Sequence, residues 1–225
     1  KEEAAAQVQS ALAKVSSPDP KALAAALGVE PSPHKGTAPE VGDDALEDVG
    51  DLDGDGVSEF VFEWAPRFGN RSEPRETGEG LAAWVLLLLA WDGSAWRASP
   101  MTEGDGPYSL HVLPTLGSDP AMAITLGLSL VPYPLVFRVQ HHAASLAWDS
   151  RDDESRYQGY VYGEVEFRHP DGDGSPTMIV SGKADPGVLV FRRASRRGFQ
   201  ATGTYMWDGK AFVPQRIEYK PSEDY

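Results

Sequence analysis

Two short motifs each occur twice in this chain at nearly the same spacing, and this duplication constrains its architecture more than any other feature. Asp53-Gly54-Asp55-Gly56 returns as Asp171-Gly172-Asp173-Gly174, an offset of 118 residues (Asp53 to Asp171). Trp91-Asp92-Gly93 returns as Trp207-Asp208-Gly209, an offset of 116 (Trp91 to Trp207). Two motif pairs with matching offsets point to a repeated unit. Each half runs DGDG, a strand, an insertion, a long strand, then WDG and a short strand. Each WDG predicts a hairpin turn with aromatic residues on both arms, Trp91 with Trp96 and Trp207 with Phe212.

The remaining pattern is that of short strands. Candidates are 60–64, 81–91, 108–113, 121–130, 134–140, 157–168, 177–181, 188–192 and 202–207. In Tyr160–Phe167 the residues Tyr160, Tyr162, Glu164 and Glu166 alternate with Val161, Gly163, Val165 and Phe167, which predicts two unlike faces. With 23 Gly and 18 Pro cutting the strands short, the expected class is mainly β. The expected architecture is antiparallel sheets from two related modules, about 47–115 and 160–217, within a β domain spanning 47–225.

Residues 1–28 differ in style. Val8, Leu12 and Val15 make a narrow apolar stripe at helical spacing. Ser17-Pro18-Asp19-Pro20 stops that helix and starts another, with Asp19 as N-cap, Pro20 at the first helical position and Gly28 at the C-terminal cap. This short N-terminal helical segment is followed by a Pro- and Gly-rich linker, 29–46.

Composition excludes several functions. The 34 acidic and 20 basic residues leave a net charge of −14, which disfavours nucleic acid and anionic membranes. With no cysteine there is no disulfide, thiol chemistry or Cys-based metal site. Leu81–Trp91 is too short to span a membrane, and Gly127, Ser129, Pro132 and Pro134 interrupt Ala121–Phe137, so both read as buried strands and no transmembrane segment is expected. The chain opens on Lys1, which leaves room for a removed signal peptide or a lipidated cysteine before it.

The segment with chemistry is Asp51-Leu52-Asp53-Gly54-Asp55-Gly56-Val57-Ser58-Glu59, with carboxylates at positions 1, 3, 5 and 9. Alternating acids in a tight loop converge on one point, and Gly56 allows the bend that brings in the Val57 carbonyl. Such oxygen ligands suit a hard cation, Ca²⁺ above all. Without a cation, four crowded carboxylates repel one another. Phe62 stands where an EF-hand has its last, bidentate Glu, so the loop is not an EF-hand.

This loop running straight into the strand Phe60-Val61-Phe62 resembles the calcium loops of FG-GAP/VCBS-type repeat proteins, the integrin-like β-propeller repeats. The resemblance covers roughly residues 48–98 and, more faintly, 168–215. It implies Asp51, Asp53, Asp55, the Val57 carbonyl and Glu59 as metal ligands, with Glu in place of a final Asp. Two units cannot close a propeller ring, so the loop carries over and the architecture does not. The downstream WDG strand also looks like bacterial extracytoplasmic proteins that carry such repeats. The second copy offers a weaker set, Asp171, Asp173 and the Ser175 carbonyl, with His169 and Thr177 where the first copy has acids. There a β-turn is the simpler reading.

Other features are more readily structural. Adjacent His141 and His142 end an apolar strand and would not share one metal, because neighbours on a strand point to opposite faces. Arg192-Arg193 and Arg196-Arg197 read as a charged hairpin tip, the functional alternative being a docking patch for an acidic partner or a mate for Arg151-Asp152-Asp153-Glu154. No nucleophile elbow, zinc-protease spacing or phosphate loop is present. The expectation is therefore a calcium-stabilised, non-catalytic binding or scaffolding protein of the bacterial cell envelope or surface. It would act outside the cytoplasm on a protein partner. The alternative is a secreted or periplasmic hydrolase with a structural calcium ion.

Overall fold

A computed structural model describes residues 1–28, 31–32, 41–42, 45–64, 84–104, 108–116, 119–128, 131–150, 161–168, 175–184 and 199–221. The fold is mainly β, with two short N-terminal helices and, among the described residues, three four-stranded antiparallel sheets. The chain divides into two compact units. One comprises Lys1–Asp105 with Val139–Ser145, the other Gly106–Arg138 with Leu146–Tyr225. No helix among the described residues is long and apolar enough to cross a membrane.

The first unit opens with α1 (Glu2–Leu12) and α2 (Pro20–Leu27). The carboxylate of Asp19 accepts the Ala22 N–H at 2.9 Å, and Gly28 ends α2 at φ +77°, so the start and stop signals in the sequence act as expected. The apolar stripe is shorter than its spacing suggests. α1 ends at Leu12, and Val15 packs on the same core from the turn beyond it. Within the linker, β1 (Pro31–Ser32) and β2 (Val41–Gly42) form a two-residue parallel bridge.

The sheet of this unit is a meander of β3 (Leu46–Gly50), β4 (Glu59–Trp64), β5 (Trp84–Trp91) and β6 (Trp96–Gly104), in that order. Val85, Leu87 and Leu89 of β5 share a core with Val8, Ala11 and Leu12 of α1 and with Leu23 of α2. Leu86 and Leu88, on the opposite face, are equally buried, which is why β5 reads as an unbroken apolar run. The side-chain amide of Gln9 on α1 caps the edge strand β6. It donates to the Trp96 carbonyl at 2.9 Å and accepts the Ala98 N–H at 2.9 Å, pairing edge groups that the sheet leaves open.

Two further sheets supply the second unit, except that Val139–Ser145, the adjoining ends of two neighbouring strands and the turn between them, belong to the first. In one, the spatial order is β10 (Ala143–Asp149), β9 (Val131–Gln140), β8 (Asp119–Leu128), β7 (Tyr108–Leu116). The other is a second meander, β11 (Val161–Arg168), β12 (Thr177–Ala184), β13 (Phe199–Trp207) and β14 (Phe212–Pro221). Leu113, Val136 and Trp148 from the first sheet meet Met178, Tyr205 and Phe212 from the second in one core. Phe212 is its aromatic centre, with Trp148, Phe167 and Trp207 at 5.3–5.7 Å between ring centroids. In β11, Glu164 and Glu166 are exposed while Val165 and Phe167 turn inward, as the alternation predicts.

The two meanders repeat each other strand for strand. The first DGDG joins β3 to β4, and the second, 171–174, falls between β11 and β12. Likewise, WDG joins β5 to β6 and β13 to β14. Both WDG turns have the same local structure. Trp91 pairs with Trp96 and Trp207 with Phe212 in register, and Gly93 and Gly209 take φ of +87° and +102°. In each, the Asp carboxylate accepts two backbone N–H groups inside the turn, Ser94 and Ala95 for Asp92, Lys210 and Ala211 for Asp208. The last strand of each meander also carries a bulge beside a proline. Met101 is skipped next to Pro100, and Gln215 is skipped next to Pro214.

β3 and β10 escape the sequence pattern, while β6 and β14, expected as short strands after each WDG turn, run to 9 and 10 residues. Polar residues weaken the periodicity of all four, with prolines besides in β6 and β14, and pairing with an apolar neighbour holds them as strands. The expected strand at 188–192 and the charged segments 151–154 and 192–197 lie outside the described residues.

Candidate metal centre

The loop between β3 and β4 folds around its own acids. Gly50, Gly54 and Gly56 take φ of +80°, +81° and +90°, and these left-handed positions turn the chain back on itself. The Asp51 carboxylate accepts the Gly54 N–H at 2.8 Å through Oδ1 and the Gly56 N–H at 2.9 Å through Oδ2. Asp53 Oδ1 accepts from Asp55 N–H at 3.2 Å, and Asp55 Oδ1 from Val57 N–H at 2.8 Å. The acids are thus gathered by short-range turns, with Asp51 and Asp55 exposed and Asp53 half-buried.

Glu59 differs from the other three. It opens β4, is fully buried, and receives the Leu52 N–H on Oε2 at 2.6 Å. Its other oxygen, Oε1, is shut off from solvent and finds no hydrogen-bond partner among the described residues. Burial pushes the Glu59 carboxyl up to about 7, the Leu52 hydrogen bond opposes that rise, and the charges of Asp53, Asp55 and Asp51 add to it. A cation beside this group would remove both the desolvation cost and the repulsion.

The loop brings together Asp51, Asp53 and Glu59, whose ligand atoms lie within 4.8 Å of one another. Asp55 joins a second, overlapping group through Asp53, and the third member there is His142. Asp51, Asp53, Asp55, Glu59 and His142 can therefore hold a metal ion. Val57, whose carbonyl is expected to join them, occupies the same loop with its side chain half-buried against the core of the first unit. Of the weaker set, Asp171 and Asp173 lie outside the described residues, and Ser175 is exposed just before β12.

His142 is the residue that sequence reasoning passed over. It sits with His141 just past the end of β9, in the two-residue turn joining β9 to β10. Both histidines have left-handed backbones, φ +50° and +60°, as a tight hairpin of the I′ kind requires. Among the described residues they are the non-glycine residues with positive φ. The turn belongs to the first unit, where the Ala144 N–H donates to Ser99 Oγ at 3.2 Å. His142 Nδ1 lies 2.8 Å from Asp53 Oδ2. The available signal was the histidine pair between two strand-like segments, but the pairing to Asp53 spans 89 positions (53 to 142) and leaves no mark on local periodicity.

Comparison with protein families, curated proteins and solved structures finds no match to this chain.

Proposed function

We propose that this chain is a calcium-stabilised, non-catalytic binding or scaffolding protein of the bacterial cell envelope or surface. The observation that carries the reading is Glu59, a fully buried carboxylate with one unpartnered oxygen set among three aspartates. A divalent ion there neutralises a cluster whose members otherwise oppose one another, and the oxygen-rich set favours calcium. The loop links β3 to β4, so the ion's role is to lock the first meander and the surface it presents. Millimolar external calcium fills even a weak site of the extracellular class, about 10⁻⁴–10⁻³ M, which supports an extracytoplasmic home. The net charge of −14 favours solubility and a protein partner over nucleic acid.

The test is thermal unfolding in EDTA, in millimolar calcium and in millimolar magnesium. A rise in midpoint with calcium but not with magnesium supports the reading, since an ion bound only by the folded state stabilises it by mass action. An unchanged midpoint overturns it and leaves the acidic loop a turn motif.

A further inference from the structure

The cation proposed for the β3–β4 loop need not be held by the loop alone. We infer that His142, delivered from the β9–β10 turn, is a direct ligand of that cation and gives the site a nitrogen donor. The site then also accepts first-row divalent ions such as Mn²⁺. This rests on the reading of the loop as a cation site and goes beyond it by naming a ligand residue outside the loop, a second structural element and a further class of ion.

Four observations support it. Asp53, Asp55 and His142 each present a ligand atom within 4.8 Å of the others. His142 Nδ1 and Asp53 Oδ2 are 2.8 Å apart and both closed to solvent, yet the contact lacks hydrogen-bond alignment. A ring nitrogen and a carboxylate oxygen converging in this way, off the line of a hydrogen bond, suit donors that share a cation. Independently, the fully buried Glu59, whose Oε1 finds no hydrogen-bond partner among the described residues, offers a carboxylate oxygen to the adjoining group, and Asp53 belongs to both. The turn is also positioned for the task, because the Ala144–Ser99 hydrogen bond fixes it within the first unit beside the loop.

The chemistry follows from the donor set. Calcium takes hard oxygen ligands and gains little from an imidazole, whereas manganese, cobalt and zinc accept nitrogen readily. With His142 included, the site combines carboxylates with one imidazole. A bound ion would then tie the β9–β10 turn to the loop, joining two stretches of chain far apart in sequence.

Pulsed electron paramagnetic resonance of the full chain loaded with Mn²⁺ tests this, because a directly bound imidazole imprints a nitrogen modulation on the manganese echo. The expected result is nitrogen modulation in the unaltered protein and in His141→Ala, and none in His142→Ala. Mn²⁺ affinity should fall at least about tenfold in His142→Ala, with a smaller change for calcium. Manganese bound without nitrogen modulation, or with modulation that survives His142→Ala, overturns the inference and leaves the loop site standing. Failure to bind manganese while calcium still raises the unfolding midpoint has the same meaning. If neither ion binds, both readings fall together.

Discussion

The backbone N–H of Leu52 donates to Oε2 of Glu59 at 2.6 Å, so the first turn of the acidic loop is tied to the first residue of β4. This bond holds a carboxylate in a buried position next to three other acids. The arrangement is unfavourable for a charged group without a counter-ion and favourable with one, so its response to substitution depends on the ion.

Glu59→Gln keeps the acceptor for Leu52 and removes the charge. In EDTA above neutral pH the variant should be more stable than the unaltered protein, on the order of 2 kcal/mol. In calcium it should lose most of the calcium-dependent rise in midpoint. The sign follows from linkage. The carboxyl is raised from 4.5 to about 7 in the folded state, so its contribution is fully present below about 4.5 and is lost as pH rises through about 7. Unfolding midpoints in EDTA between pH 4 and pH 8 should therefore fall with pH more steeply for the unaltered protein than for the variant.

Asp92 clamps the first WDG turn, taking N–H groups from Ser94 and Ala95, the Ser94 hydroxyl at 2.7 Å and Arg97 Nε at 2.5 Å. The Ser94 hydroxyl, these backbone groups and the Arg97 guanidinium hold its carboxyl well below the usual carboxylate range. Its contribution is present above pH 3.8, the ordinary value, and is lost only as pH falls through the depressed one. Asp92→Ala should lower the unfolding midpoint from neutral pH down to pH 4. Asp92→Asn, which keeps an acceptor for the turn, should lower it less. Midpoints of both variants across that range check the claim.

Gly203 lies beneath the ring of Tyr205, two residues along the same face of β13. A Cβ at 203 would stand 2.7 Å from Tyr205 Cε2 and 2.9 Å from its hydroxyl oxygen. Tyr205 is fully buried and cannot swing away without disturbing the core of the second unit. Gly203→Ala should therefore destabilise by about 1–3 kcal/mol, despite the better strand propensity of alanine. Urea unfolding followed by tryptophan fluorescence measures it.

Gln9 spans the edge of β6 with both ends of its amide. Gln9→Ala should cost about 1–2 kcal/mol, because the Trp96 carbonyl and the Ala98 N–H lose their partner. The Ala98 amide should then exchange with solvent faster, while amides in β4 and β5 keep their protection. Hydrogen exchange across 96–104 distinguishes this local loss from a general loosening.

Much of the fold was legible because its signals are local. The WDG turns depend on Asp and Gly acting within four residues, and α2 is bounded by its own Asp19, Pro20 and Gly28. The run Trp84–Trp91 is apolar on both faces because both faces are buried. The WDG turns mark where β6 and β14 begin, but nothing local marks how far they run. Each combines polar residues, a proline and a bulge, and each is a strand because β5 or β13 lies beside it. The expected helical stripe ran on to Val15, although α1 stops at Leu12, since apolar spacing persists into a turn that packs on the same core.

The acidic loop divides along the same line. The sequence alone determined that Asp51, Asp53, Asp55 and Glu59 would be gathered, because alternating acids and left-handed glycines close the loop through bonds spanning at most seven residues. It also determined the duplicated order of strand and turn, which the two meanders reproduce. Only the tertiary structure decided that Glu59 is buried while Asp51 and Asp55 stay exposed, and that His142 meets Asp53 from another part of the chain. Burial and long-range contact depend on which surfaces pack together, and spacing along a chain carries little record of that.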